Sequence, residues 1–330
     1  MRVHLEKPSD LFDPDALLKR PDARLMVLAP HPDDESLAAG GLIQRALAHG
    51  ARVSVVFVSD GENNPWPQRA LERRVWIGTR QRVRWANRRR AEADGALREL
   101  GAEGISVHRL GWPDGGVTWM LLEQTGLMLA TMRDLLEREP PSLLVLPDLF
   151  DRHPDHSAMH VLMEMVFQNM PRGSKPGCLG YLLHGRSQSG APRRAVFTLN
   201  EDEQTRKRKA IEAHSSQTAL SGRRLMRFAT DTEGFVAGLD SHDRDQPTLP
   251  WLPPRLLRQW LSLLVVDADG GERVSLGAGK SANLFWRDGS PAAHTLRKLH
   301  RPYYVKLYCT LPSPWVFDGW GWCRFGPTRA

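Results

Sequence analysis

Two short segments of this chain concentrate the residue types that bind metal ions and move protons. The first runs from His31 to Glu35 (His-Pro-Asp-Asp-Glu), and the second runs from His153 to His156 (His-Pro-Asp-His). Imidazole and carboxylate groups are usual ligands of Zn²⁺, and a catalytic zinc site combines three protein ligands with a bound water. Together the two segments therefore predict a metal centre that activates water.

The spacing within the segments indicates which residues serve which role. His31 and Asp34 lie three residues apart on a turn that opens a helix, so their side chains can converge on one ion, with a third ligand from the second segment. Asp33 would accept a proton from the water, and His153 would protonate the leaving group or stabilise an oxyanion. A single His-Pro-Asp tripeptide is more often an Asx turn than a ligand. The occurrence of two, each after a predicted strand, favours the metal interpretation.

The elements that must position these segments begin with a short apolar strand over 24–28, directly before His31. A helix over 36–49 and a β-branched strand over 53–58 follow. Strand, loop, helix and strand in this order predict a right-handed βαβ unit with parallel strands.

The same alternation continues along the chain. Its further helices and strands are expected over 80–100, 105–110, 121–138 and 142–146. This alternation predicts an α/β fold with a Rossmann-like, doubly wound, mostly parallel sheet in three α/β/α layers. Ligands of such sheets bind beyond the carboxyl ends of the strands, where both histidine segments would lie.

The composition changes after about residue 235. More than half of the eleven tryptophans follow residue 250, together with many prolines and glycines. Short strands over 272–276, 284–287 and 303–309 are expected to be antiparallel. We therefore expect a first domain over residues 1–235 and a Trp-rich, β-rich accessory extension over residues 236–330, packed on it.

Length and composition exclude several classes of protein. The chain has 330 residues, 41% of them hydrophobic and 25% charged, which is typical of a globular chain rather than a disordered one. No apolar run approaches the roughly 20 residues of a membrane-spanning helix, and residues 1–21 do not resemble a signal peptide. Three widely spaced cysteines disfavour a disulfide framework or a cysteine zinc site. We expect a cytoplasmic protein.

Charge leaves several partners open. The chain has 45 basic and 38 acidic residues, which favours anionic partners. Residues 69–90 hold nine arginines, with tryptophans among and beside them. This stretch is interpreted as a solvated helix face, as a pocket wall for an anionic glycan, phosphosugar or lipid headgroup, or as a nucleic-acid surface. The last is disfavoured because no nucleic-acid-binding motif accompanies it. Residues 251–266 are apolar and could lie at a membrane surface, although a core helix that runs into a strand is the commoner case.

The two histidine segments resemble the hallmarks of the PIG-L/LmbE family of zinc-dependent N-deacetylases, a (Pro/Ala)-His-Pro-Asp-Asp-Glu segment and a later His-Pro-Asp-His. These enzymes remove acetyl groups from glycolipids, pseudodisaccharide thiols and glycopeptides that contain N-acetylglucosamine, on a Rossmann-like fold. The resemblance covers about residues 23–220 and implies that residues 1–235 form a deacetylase domain. It does not reach the last hundred residues.

The resemblance implies a role for each matching residue. The metal ligands of the family match His31, Asp34 and His156. Its general base matches Asp33, its acidic or electrophilic histidine matches His153, and the aspartate that tunes this histidine matches Asp155. Further family segments imply three substrate-binding residues: Arg89 in an Arg-x-x-Glu helix, Asp114 in a Pro-Asp-Gly loop and His214 in a late Lys…His-x-Ser-Gln segment beginning at Lys209.

From these observations we expect a metal-dependent hydrolase that removes the N-acetyl group from an N-acetylglucosamine-type amino sugar. The substrate is expected to be anionic or linked to a lipid or nucleotide, with peripheral membrane contact left open. Zn²⁺ is the expected cofactor, although another divalent transition metal could use the same ligands. One alternative is an amidase for a larger acyl group or a thiol-sugar conjugate. The other is a non-catalytic protein that binds anionic glycan or nucleic acid and has a structural metal, which three ligands beside an unused base and acid disfavour.

Overall fold

The computed structural model describes residues 14–185, 194–239, 248–276, 282–295, 302–311 and 319–326. Its α-helices are α1 (Pro14–Leu18), α2 (Asp34–Ala48), α3 (Pro65–Glu72), α4 (Thr79–Glu99), α5 (Val117–Glu123), α6 (Thr125–Arg138), α7 (Pro154–Gln168), α8 (Glu201–Ala213) and α9 (Ser215–Leu225). Its strands are β1 (Arg24–Ala29), β2 (Arg52–Ser59), β3 (Ser106–Trp112), β4 (Leu143–Pro147), β5 (Gly177–Tyr181), β6 (Arg194–Thr198), β7 (Thr232–Ala237), β8 (Leu261–Asp267), β9 (Gly270–Ser275), β10 (Leu284–Phe285), β11 (Pro291–Ala293), β12 (Tyr303–Cys309) and β13 (Trp322–Phe325). Among the helices in these ranges, none is long and apolar enough to span a bilayer.

The larger sheet has seven strands in the order β3-β2-β1-β4-β5-β7-β6. Strand β1 pairs in parallel with β2 and β4, and β3 and β5 extend the parallel part on either side. Strand β7 pairs antiparallel with both β5 and β6. The run from β3 to β5 is the doubly wound order, whose topological switch point lies between β1 and β4. The predicted Rossmann-like, mostly parallel sheet is confirmed.

Burial explains why the central strands form. All five residues of β4 and five of the six residues of β1 are buried, as is typical of parallel strands covered on both faces. Helix α2 packs on β1 and β2, and its apolar residues Leu37, Leu42 and Ile43 belong to the same core. This packing fixes the start of α2 next to the carboxyl end of β1.

Helix α2 is broken in the middle. Ala39 has non-helical φ and ψ of −134° and 16°. After the break, the backbone N–H groups of Gly41 and Leu42 donate to the two carboxylate oxygens of Glu233, at 2.6 and 2.9 Å. A side chain of β7 therefore caps the second half of the helix, while the first half carries Asp34.

The C-terminal part forms a four-stranded antiparallel sheet in the order β13-β12-β8-β9 and a two-stranded sheet of β10 and β11. Residues such as Leu263, Trp286 and Val305 are buried in its core. The predicted β-rich extension is confirmed. In the apolar segment 251–266, residues 255–260 form a 3-10 helix in place of the expected core helix, and the strand that follows is buried throughout. Of the tryptophans that follow residue 250, Trp315 lies outside the described residues.

The chain divides into two compact units that interleave along the sequence. The first unit extends to Asp114 and takes in residues 139–148 and 173–239, while the second comprises 115–138, 149–172 and 240–330. The last change of unit lies close to the predicted boundary at residue 235. Within the second unit, α5 packs on β9 so closely that a Cβ on Gly271 would lie 2.7 Å from Leu122. The helix predicted over 121–138 is two helices, because α5 ends before Gln124, which has a non-helical φ of −130°.

Candidate functional site

The turn between β1 and α2 holds the first histidine segment. The N–H of His31 donates to Asp34 Oδ2 at 2.8 Å, and the Nδ1 of the same imidazole lies 3.4 Å from that oxygen. Both side chains are buried. The two residues that the sequence proposed as ligands from this segment therefore lie together.

Asp114 lies on the other side of the His31 imidazole. Its Oδ1 is 3.2 Å from His31 Nε2, and its Oδ2 accepts the N–H of Asn63 at 2.8 Å. Burial alone would raise the pKa of Asp114, but the hydrogen bond and charge of His31, together with the charge of Arg89 and the Asn63 N–H, hold it below its ordinary value. Asp114 was predicted as a substrate-binding residue, and the structure places it against a proposed metal ligand.

The donor set in the first unit fits a divalent cation. A neutral imidazole carries a hydrogen on one nitrogen only. Because His31 has a carboxylate oxygen near each nitrogen, one of these oxygens faces a lone pair unless a proton or a cation lies there. Imidazole and carboxylate are the ligands that suit Zn²⁺ and related metals.

Asp33 has a backbone conformation that is rare for any residue but glycine. Its φ is 140°, and such strain persists only where the surroundings enforce it. The Asp33 N–H donates to Glu35 Oε2 at 3.0 Å, and Asp33 Oδ2 lies 3.3 Å from Arg89 Nη2. Burial raises the pKa of the Asp33 carboxyl to about 6. The charge of Arg89 opposes this rise, and the charge of Asp34 adds to it.

Arg89, on α4, secures the loop that carries Asp33. Its guanidinium is buried and donates to the carbonyl oxygens of Gly61 at 3.1 Å and Pro32 at 2.5 Å. The sequence predicted that Arg89 contacts substrate. In the structure its Nη1 and Nη2 bind groups of the chain itself, and the substrate contact stays a prediction.

His214 lies between α8 and α9 and binds the end of the first motif. Its Nε2 is 3.1 Å from Glu35 Oε1 and 3.4 Å from Ser36 Oγ, and the imidazole is buried. Burial alone would lower the pKa of His214, but the charge and hydrogen bond of Glu35 and the charge of Asp33 raise it above its ordinary value. Glu35 was not predicted to have a role, although its place in the motif was a signal.

Two features of α8 and α9, the helices on either side of His214, were not predicted from the sequence. Glu92 accepts hydrogen bonds from the Ser216 N–H at 2.9 Å and the Ser216 hydroxyl at 2.6 Å, which fixes the start of α9. The buried lysine of the late segment is Lys207, whereas Lys209 is exposed. Lys207 lies seven residues before His214, two helical turns away and on the same face. That spacing was the signal in the sequence that could have identified Lys207 as the buried lysine.

In the second unit, Asp151 orients the second histidine segment. Asp151 Oδ1 accepts the N–H of His153 at 2.9 Å, and Asp151 Oδ2 lies 3.3 Å from His156 Nδ1. The side chains of His156 and Asp151 are fully buried. Carboxylates commonly fix the ring of a metal-binding histidine in this way, and the predicted ligand role of His156 would then use its Nε2. The sequence missed Asp151, two residues ahead of the motif.

Asp155 connects the second segment to the loop before α5. Its carboxylate accepts the N–H of Gly115 at 2.7 Å and that of Val117 at 3.1 Å. Its own N–H donates to His153 Nδ1 at 3.3 Å, and the rings of His153 and His156 have centroids 5.0 Å apart. The structure therefore groups the residues predicted in this segment.

Both units contain histidine and aspartate side chains of the kind that hold a metal ion. They are His31, Asp34, Asp114 and His184 in the first unit and His153, Asp155 and His156 in the second. The assignment of His31, Asp34 and His156 to one ion stays a prediction.

Comparison with known proteins finds a similarity to one family. A model of the PIG-L family, described as GlcNAc-PI de-N-acetylase, matches residues 26–167, a range that contains both histidine segments. Residues 26–167 are therefore similar to the PIG-L family. A 1D-myo-inositol 2-acetamido-2-deoxy-alpha-D-glucopyranoside deacetylase of Mycobacteroides abscessus is 32% identical over 162 residues, which cover 42% of this chain and 53% of that protein. A protein of the same name from Nocardioides is 28% identical over 166 residues. This chain spans about half the length of the curated relatives that it matches.

Two solved structures of deacetylases resemble this chain. The N,N'-diacetylchitobiose deacetylase of Pyrococcus horikoshii superposes with a TM-score of 0.52 at 20% identity, over 69% of this chain and 87% of that one. A deacetylase of teicoplanin biosynthesis superposes with a TM-score of 0.51 at 18% identity, over 66% of this chain and all of the other. At these identities the likeness supports the fold.

Proposed function

We propose that this protein is a metal-dependent N-deacetylase that acts on an N-acetylglucosamine-type amino sugar. The observation that carries the proposal is the arrangement of the first histidine segment. His31 lies between two carboxylates, and Asp33 is held in a strained conformation beside Arg89. The match of residues 26–167 to the model of the PIG-L family supports the same chemistry.

In this proposal His31, Asp34 and His156 hold the metal. A divalent ion such as Zn²⁺ supplies Lewis-acid activation of water and of the amide carbonyl. Asp33 accepts a proton from the attacking water, and Arg89 keeps its carboxylate in place. His153 delivers a proton to the nitrogen of the departing amine. The C–N bond of the amide breaks as the water oxygen bonds to the acetyl carbon, so the products are acetate and a free amine.

The names of the relatives support a substrate class. The curated relatives are named as deacetylases of an N-acetylglucosamine-inositol compound, and one structural neighbour is named for N,N'-diacetylchitobiose. We propose an amino sugar with an N-acetylglucosamine unit, anionic or linked to a lipid or nucleotide, because the chain has a net charge of +7. A cytoplasmic location stays a prediction from the sequence.

Acetate release tests the proposal. The full chain with added Zn²⁺ is incubated with N-acetylglucosamine as the free sugar and in nucleotide-linked, lipid-linked, inositol-linked and polymeric forms. We expect release from at least one compound. Asp33→Asn should abolish turnover while metal binding is kept, and His156→Ala should lose the metal. Asp94→Asn, which changes an exposed carboxylate on α4, is the matched control and should leave both unchanged.

Three results would contradict the proposal. A chain that binds no metal would remove the centre, and an Asp33→Asn variant with normal turnover would exclude Asp33 as the base. A metal-bound wild type that releases no acetate from any compound would exclude acetyl hydrolysis on these scaffolds. That last result would point to a larger acyl group or a thiol-sugar conjugate.

A further inference from the structure

An exposed surface on residues 65–84 has no role in the proposed reaction. It spans α3, the turn over 73–78 and the first turns of α4. Trp76 is 83% exposed, Val75 is 88% exposed and Trp66 is 59% exposed. We call it the Trp–Arg surface and define it by Trp66, Leu71, Arg73, Arg74, Val75, Trp76, Arg80, Arg82 and Val83. Single exposed apolar side chains are ordinary, but a cluster of this kind marks an interaction site.

The same surface is strongly positive. Arg73, Arg74, Arg80 and Arg82 are exposed, and within the described part of the chain none of them lies within 4.0 Å of a carboxylate oxygen. Glu72 is the one acidic residue of the sequence 65–84, and Arg84 binds it at 2.5 Å. Within the described residues these four arginines therefore form no ion pair, and Arg74 is the one whose charge acts on Glu72.

Buried contacts beneath the surface keep its apolar side chains out of the core. Helix α3 ends at Arg73, which has a left-handed φ of 52°. Gln68 is buried and donates to the carbonyl oxygen of Gln81 at 2.7 Å, and Trp85 is buried in α4. With Gln68 and Trp85 as the anchors, the intervening turn presents Val75 and Trp76 to solvent.

We propose that the Trp–Arg surface docks on an anionic lipid bilayer. Tryptophan is favoured at the membrane–water interface, and arginine forms strong hydrogen bonds to phosphate groups. The Arg69 guanidinium lies over the Trp66 ring, 5.2 Å from its centroid, so this tryptophan of the surface already lies against a cationic group.

A bilayer fits this surface better than a nucleic acid does. Tryptophan and arginine would serve either partner. The exposed aliphatic side chains Leu71, Val75 and Val83 have no stacking partner on a nucleic acid, whereas the headgroup boundary of a bilayer accepts apolar side chains. Because docking needs no substrate, its test is independent of the proposed deacetylase activity.

Cosedimentation with vesicles tests the proposal. The full chain is mixed with vesicles of phosphatidylcholine alone or with phosphatidylglycerol, at low and at high NaCl. We expect binding to the anionic vesicles and a loss of affinity of about tenfold or more in the double variant Arg73→Glu/Arg74→Glu, because each basic residue adds to the attraction. Trp66→Ala/Trp76→Ala should weaken binding at both salt concentrations, because salt does not screen apolar insertion.

The matched control is Arg206→Glu/Arg208→Glu on α8, which changes the net charge equally at two exposed positions. We expect this variant to bind like the wild type. Thermal melts verify that every variant is folded. The proposal is wrong if the wild type does not sediment with anionic vesicles, or if the control loses as much affinity as the Arg73/Arg74 variant. It is also wrong if the protein binds a single-stranded oligonucleotide but no vesicles.

Discussion

The Nζ of Lys207 lies 2.6 Å from Glu233 Oε1, and both side chains are buried. The same carboxylate accepts the two backbone N–H groups that cap the second half of α2. A Cβ on Gly40 would lie 3.2 Å from Lys207 Cγ, and one on Gly41 would lie 2.6 Å from Leu199. The break in α2 therefore depends on a buried ion pair, while Gly40 and Gly41 leave room for the side chains of Lys207 and Leu199.

Removal of the lysine charge should destabilise the protein strongly. Lys207→Met leaves the Glu233 carboxylate buried without its ammonium partner, and we expect the free energy of unfolding to fall by about 3 to 5 kcal/mol. Urea denaturation of the metal-free protein measures the change. Arg208→Met, at the exposed neighbouring position, should have little effect, and equal losses in the two variants would contradict the role of the pair.

A methyl group at Gly61 tests whether Arg89 positions Asp33. Gly61 has a φ of 64°, and a Cβ there would overlap the guanidinium of Arg89. Gly61→Ala should therefore displace Arg89 from the carbonyl oxygens that it binds, and acetate release should fall by about tenfold or more, as expected when a positioning contact is lost. The variant and the wild type are compared by kcat at saturating substrate.

The control for Gly61→Ala is Gly50→Ala. Gly50 has a similar φ of 74°, and a Cβ there meets nothing within 4 Å. It carries the same backbone strain, on the order of 1 kcal/mol, without the collision. If both variants lose stability and kcat equally, the loss comes from strain, and Arg89 has no positioning role.

The pair of His214 and Glu35 should make stability depend on pH. The folded-state pKa of His214 is raised above its ordinary value of 6.5, so the protonated imidazole favours the folded state. This contribution is fully present below about pH 6.5 and is lost as the pH rises through the higher folded-state pKa. The wild type should therefore be more stable than His214→Gln, and the difference should be largest at low pH and smaller at higher pH.

Denaturation of metal-free protein across a pH series measures this difference. Glu35→Gln removes the partner charge and should abolish most of the pH dependence. A difference between wild type and His214→Gln that is constant with pH, or that grows as the pH rises, would contradict the assignment of the charged pair.

Local patterns in the sequence predicted the elements whose signal is complete within a few residues. The strands β1, β2 and β4 are apolar runs, and β12 was placed at its observed bounds, Tyr303–Cys309. Helix α3 was missed because two prolines, Pro65 and Pro67, interrupt its pattern, although proline is favoured in the first turn of a helix. The strands β6 and β7, which extend the larger sheet beyond β5, were not predicted either.

In the site, too, contacts between residues close in the sequence could be predicted, and contacts between distant residues could not. His31 and Asp34 are three residues apart, so their contact could be predicted from their spacing. Glu35 and His214 are 179 residues apart, and Gly41 and Glu233 are separated by 192. Contacts at such separations depend on the strand order of the sheet, and no local pattern in the sequence encodes them.

Asp155 offers a test in the second unit. Its carboxylate accepts the N–H groups of Gly115 and Val117, whereas an amide places an NH₂ group against one of these donors. Asp155→Asn should therefore lower the free energy of unfolding by about 2 kcal/mol. It should also speed hydrogen exchange at the Gly115 and Val117 amides, which mass spectrometry of the peptide that contains them would detect. Glu123→Gln, at the exposed end of α5, is the control. Unchanged exchange in Asp155→Asn would mean that Asp155 acts on His153 alone, without holding this loop.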